Sequence, residues 1–180
     1  GMSAGNSLAS GSLGNVLFGE SAGASISTSD KNTFLGHNAG RFYGHDSASN
    51  NTAVGFQSMY VGSNASTNSA SNNTAVGYQS LYSVTTGNNN SALGYLSLYS
   101  LQDGIRNTAI GDSAMYSATS ASRNVALGRF ALYHNTSGGF NVAIGESAYL
   151  GTSGNATCSN NIAIGYQSMF FGTTGSSNTI

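Results

Sequence analysis

The chain has 180 residues, of which 25 are Gly, 31 are Ser and none is Pro or Trp. Charged residues make up 6% and the formal net charge is −1, so a basic nucleic-acid surface or a polybasic membrane anchor has no charge to work with. A Gly/Ser-rich composition without a period reads as disorder, and the fold class therefore turns on whether the chain repeats.

It does. In chain order the segments NVLFG, NTFLG, NTAVG, NTAVG, NSALG, NTAIG, NVALG, NVAIG and NIAIG begin at Asn15, Asn32, Asn51, Asn73, Asn90, Asn107, Asn124, Asn141 and Asn161. Each carries Gly four residues on, at Gly19, Gly36, Gly55, Gly77, Gly94, Gly111, Gly128, Gly145 and Gly165. Successive glycines lie 17, 19, 22, 17, 17, 17, 17 and 20 residues apart. A constant part runs to five residues past the Gly, and a linker follows. The linker has seven residues in the regular repeats, nine at 42–50, twelve at 61–72 and ten at 151–160. Extra residues accepted at one corner only are the mark of a solenoid. Residues 1–14 form a lead-in, 15–177 nine repeats, and Asn178, Thr179 and Ile180 open a tenth. That opening predicts a longer parent protein, with Gly1 and Met2 left over from cloning.

Within a unit the constant part alternates: in NVAIG, Val142 and Ile144 point one way and Ala143 the other. Short stretches bounded by Gly and Asn predict strands, and seventeen residues accommodate two short strands and two turns. The fold class is all-β, a parallel β-solenoid of nine coils forming a rod of roughly 43 Å at about 4.8 Å per coil. The Asn column predicts a ladder of stacked amides. The Gly column predicts a turn at positive φ or a close approach of the next coil. Two residues before the Gly stand Leu17, Phe34 and then Ala seven times, a position against which something packs closely. The residue before each Gly (Phe18, Leu35, Val54, Val76, Leu93, Ile110, Leu127, Ile144 and Ile164) is expected to be the core.

Five residues after the Gly come Tyr60, Tyr82, Tyr99, Tyr116 and Tyr133, then Leu150 and Phe170. This stripe reads as packing or an oligomer interface in preference to a sugar-stacking track. The residue after the Gly is Asp112, Arg129 and Glu146 in three consecutive coils, and the alternating signs predict ion pairs between coils.

Few residues offer chemistry. A single Cys158 excludes an intrachain disulfide framework and, with no His or acid beside it, reads as an incidental loop thiol. His37 and His134 have no recurring partner and read as solvated or satisfied. No catalytic, cofactor or metal site is expected: four Asp in all are too few for a calcium-binding roll. The longest apolar run, Phe130 to Tyr133, cannot span a bilayer, and no signal peptide opens the chain. VGYQSL at 76–81 matches the hexapeptide of left-handed β-helix acyltransferases, but only once per coil where that fold needs it about three times. Thr33, Thr52, Thr74, Ser91 and Thr108 form an ice-binding type of column that breaks at Val125, Val142 and Ile162.

The N-x-A-[VIL]-G units resemble the head repeats of trimeric autotransporter adhesins, whose hallmark is N-x-V-A-I-G; NVAIG at 141–145 and NIAIG at 161–165 come nearest. NTAVGYQSLY at 73–82 is more similar still to repeats of phage tail fibres that precede a self-cleaving chaperone domain. The resemblance covers 15–180 and implies a left-handed β-roll, three chains side by side, in an extracellular fibre on a virion or a bacterial surface. The 17-residue period and the aromatic column favour the phage-type relatives. Independently, a thin core and a surface poor in charge predict burial of one face against sister chains. A non-enzymatic homotrimer is expected, displaying loops toward a host-surface glycan or protein receptor. The candidate receptor residues are Tyr43, His45 and Asp46 in the first long linker and Ser63 and Asn64 in the second.

Overall fold

The computed structural model describes residues 4–5, 12–41, 48–61, 68–152, 156–172 and 175–180. Nine strands, β1 (Val16–Phe18), β2 (Thr33–Leu35), β3 (Thr52–Val54), β4 (Thr74–Val76), β5 (Ser91–Leu93), β6 (Thr108–Ile110), β7 (Val125–Leu127), β8 (Val142–Ile144) and β9 (Ile162–Ile164), form one parallel sheet in chain order. The chain is a β-solenoid with no helix among the described residues. Register follows the repeat without slipping. Thr74, Ala75 and Val76 pair with Ser91, Ala92 and Leu93, and the longest insertion leaves Thr52 opposite Thr74. Asn178 to Ile180 continue the pattern, with Thr179 bridging Ile162 and the Ile164 N–H donating to the Ile180 carbonyl at 2.9 Å.

Each coil contributes one three-residue strand, where the sequence suggested two. The wall after the Gly is not extended: Gln79 and Leu81, Leu96 and Leu98, and Ser113 and Met115 all have φ near +50°. The left-handed region costs a non-glycine residue of order 1–3 kcal/mol, so the packing has to repay it. A strand sends neighbours to opposite faces, whereas here Ser80 and Leu81, Ser97 and Leu98, and Ala131 and Leu132 are both fully buried within each pair. The reversal of φ turns two consecutive side chains inward. The wall still bonds coil to coil: the Gln79 N–H donates to the Phe56 carbonyl behind and the Leu81 N–H to the Ser97 carbonyl ahead, both at 3.0 Å.

The interior also inverts one expectation. The large aliphatics before each Gly are not the core; the Ala column is. Ala53, Ala75, Ala92, Ala109, Ala126, Ala143 and Ala163 are buried, while Phe18, Leu93, Ile110 and Ile164 are 72%, 47%, 41% and 58% exposed. The reason is thickness. Leu81, Leu98, Met115 and Leu132 fill the coil from the opposite wall, so the strand can afford only a methyl. Where the strand is larger the opposite wall shrinks. Phe34 replaces Ala and Gly40 replaces Leu, since a Cβ at 40 would collide with the Phe34 ring; Leu17 and Gly23 make the same exchange, with a Cβ at 23 falling 2.8 Å from the Leu17 side chain. This conserves core volume, the change a packed interior tolerates best.

Two ladders hold the coils in register. The N–H of each repeat Asn from Asn32 to Asn178 donates to the Oδ1 of the Asn one coil back, at 2.9–3.1 Å. From Asn51 to Asn161, Nδ2 donates to the same oxygen and to a carbonyl of the linker that leads into the next repeat Asn, as in Asn107 to Asn90 Oδ1 (3.0 Å) and to the Ala121 carbonyl (2.7 Å). The Gly column has φ from +122° to +137°, and a Cβ on Gly94 would lie 2.5 Å from the Gly111 carbonyl oxygen. Both reasons foreseen for glycine therefore act together.

Candidate functional site

The features that can meet a partner are aromatic and aliphatic columns on the outside. The sheet's outer face carries the residue before each Gly and, two residues earlier, the column Val16, Thr33, Thr52, Thr74, Ser91, Thr108, Val125, Val142 and Ile162. The Thr run and its replacement by Val and Ile lie in register along this face. The column before each Gly is a long apolar strip of half-buried and exposed side chains, of the kind that marks an interaction surface when it is contiguous.

Past the Gly turn, the tyrosines form a stack. Tyr60, Tyr82, Tyr99, Tyr116 and Tyr133 lie with ring centroids 4.9–5.2 Å apart and planes within 16° of parallel. Burial, and next to it the neighbouring phenol, raise Tyr82, Tyr99 and Tyr133 above the usual tyrosine value. A second stack, absent from the sequence reading, occupies the position just after the Gly: Phe56, Tyr78 and Tyr95 at 5.5 and 5.2 Å, with His37 edge-on to Phe56 at 5.4 Å. Its signal was in the sequence, in the column that also holds Asp112, Arg129 and Glu146. Those three do interact as expected: Arg129 Nε lies 3.8 Å from Asp112 and Nη1 3.4 Å from Glu146, all side chains about half exposed. The guanidinium also sits 4.3 Å over the Phe130 ring.

The tyrosine column changes at Leu150, and there a shallow pocket of about 230 Å³ opens between Phe130, Tyr133, His134 and Leu150. Phe130 and His134 meet the Tyr133 ring at 87° and 83°. Partial burial lowers His134 below the ordinary imidazole value, so it is neutral near pH 7.

Cys158 lies in the linker between β8 and β9, as read from the sequence, but its thiol is buried in the interior. The residue is 2% exposed, and burial, then a side-chain hydrogen bond with Cys158, push the Tyr149 phenol up. The Cys158 carbonyl accepts from Asn141 Nδ2 at 2.8 Å, and the Tyr149 hydroxyl accepts from Asn161 Nδ2 at 3.2 Å. The sulfur fills the interior where the coils from Ala48 to Gly138 place Ala or Gly. Of the hexapeptide-like VGYQSL, Ser80 and Leu81 point inward and only Tyr78 is exposed.

The candidate receptor residues Tyr43, His45, Asp46, Ser63 and Asn64 lie outside the described residues. Among the described residues no cluster of His, Cys, Asp and Glu could hold a metal, and no helix is long and apolar enough to cross a membrane. Compared with known protein families, curated proteins and solved structures, the chain has no match.

Proposed function

We propose that this chain is a structural and adhesive segment of a homotrimeric extracellular fibre, a left-handed β-roll that carries loops for host attachment, as in a phage tail fibre or a bacterial adhesin head. The observation that carries the reading is the outer face of the sheet. Seven of the nine strands turn Ala inward, and every strand leaves the apolar residue before its Gly, from Phe18 to Ile164, half-buried or exposed on the outer face. Water disfavours such a strip by about 25 cal/mol for each Å² of apolar surface, and closed rotational symmetry is the common way for identical strips to cover one another. In the sequence the extra residues fall only in linkers, between one constant part and the next, so these loops can vary without disturbing the ladder. Display in threes would let weak single contacts add by avidity. The chemistry suits a host-surface glycan or protein and lacks the positive charge that nucleic acid requires.

Sedimentation equilibrium tests the assembly. The expected mass is three times the 18.2 kDa chain, falling to one chain in Leu93→Lys/Ile110→Lys. A wild-type monomer contradicts the fibre. For attachment, replacing 42–50 and 61–72 by seven-residue linkers should keep the trimer and abolish adhesion to host cells; adhesion that survives would make this segment a spacer.

A further inference from the structure

We infer that the pocket between Tyr133 and Leu150 binds the apolar face of a single pyranose ring. The ladder argues for the shape. Rings from Tyr60 to Tyr133 follow one another at about one coil spacing, each face covered by the next. At Leu150 the chain supplies a branched aliphatic in place of a ring, and the pocket opens at that step. A flat-faced group laid over Leu150 would continue the stack against Tyr133, between the near-perpendicular rings of Phe130 and His134.

The openness of the pocket argues for a sugar over a free aromatic molecule. A small apolar ligand gains chiefly from enclosure, and good small-molecule sites bury most of their ligand. This shelf leaves one side to solvent. That suits a ring whose C–H face is apolar while its hydroxyls must stay hydrated or hydrogen-bonded. The neutral imidazole of His134 offers one donor and one acceptor at the rim. A β-galactoside, which gathers the C–H groups of C3, C4 and C5 on one face, is the best match. The assignment rests on the fibre reading only for the source of the sugar, a host-surface glycan.

Saturation-transfer NMR on the full chain with methyl β-galactopyranoside tests this. Transfer to H3, H4 and H5 is expected. Leu150→Tyr, which puts a ring in the pocket, and His134→Ala should each weaken binding at least tenfold with the circular dichroism spectrum unchanged. No transfer in the wild type, transfer unchanged in both variants, or transfer to p-cresol without transfer to the galactoside would overturn the assignment. Sedimentation of the same samples separates the two readings. A sugar-binding monomer supports the pocket and contradicts the fibre, whereas a trimer without sugar binding does the reverse.

Discussion

Replacing Asn107 by Ala removes one rung of the amide ladder, and its cost can be worked from the bonds. The side chain makes four: Nδ2 donates to Asn90 Oδ1 and to the Ala121 carbonyl, and Oδ1 accepts from the Asn124 N–H and from Asn124 Nδ2. Asn90 Oδ1 keeps the Asn107 N–H, and Asn124 Nδ2 keeps the Ser122 and Gly138 carbonyls. The Asn124 N–H and the Ala121 carbonyl lose the bonds they make here, with both residues fully buried. At about 1–3 kcal/mol for each stranded buried group, Asn107→Ala should cost about 2–6 kcal/mol. Asn107→Asp keeps the shape but brings oxygen toward Asn90 Oδ1 and the Ala121 carbonyl, so it should cost at least as much at pH 7 and recover partly in acid, where the carboxyl can donate. Urea denaturation followed by circular dichroism reads both. A loss under about 0.5 kcal/mol for Asn107→Ala, the range of an ordinary surface substitution, would refute the ladder as a source of stability.

Three further outcomes follow from the geometry. Gly94→Ala combines φ of +137° with a contact to the Gly111 carbonyl, whereas Gly165→Ala has φ of +122° and open space; the first should cost more than about 3 kcal/mol and the second about 1–3, both read by denaturation. Arg129→Met breaks two ion pairs whose groups are about half exposed, and should lower stability by at most about 1 kcal/mol, less in high salt. Burial holds the phenols of Tyr82, Tyr99 and Tyr133 above the usual tyrosine value of about 10 in the folded chain. Their contribution is therefore full below pH 10 and is lost as the pH climbs through the folded values; phenolate absorbance should show a class of late-titrating tyrosines that disappears in denaturant.

What the sequence made legible was whatever repeats with one residue type. Asn and Gly recur without exception, so the amide ladder, the positive-φ turn, the strand register and the Arg129 ion pairs could be read from columns alone. What escaped depends on which way a side chain faces. Leu93 and Leu98 are both apolar and five residues apart, yet one faces solvent and the other is fully buried; alternation cannot separate them because the backbone reverses at Leu96 and Leu98. Leucine at positive φ has no composition signal, so the second wall looked like a strand. The exchange of Phe34 for Gly40 was visible in two columns, but becomes meaningful only when they face each other across the coil. The second aromatic stack was hidden because its column mixes rings with charges. Cys158 sits in a lengthened linker, which made an interior thiol look like a loop residue.

The central claim is that the outer face of the sheet is buried between chains, and thiol labelling tests it most directly. Ile110→Cys and Asp103→Cys place a thiol on that face and on the linker corner, both exposed in a single chain, while buried Cys158 serves as an unreactive internal reference. With a maleimide reagent under native conditions, the account predicts rapid modification at 103 and protection at 110 until the assembly is denatured. Equal, rapid labelling at both positions would leave the aliphatic face in water and contradict it.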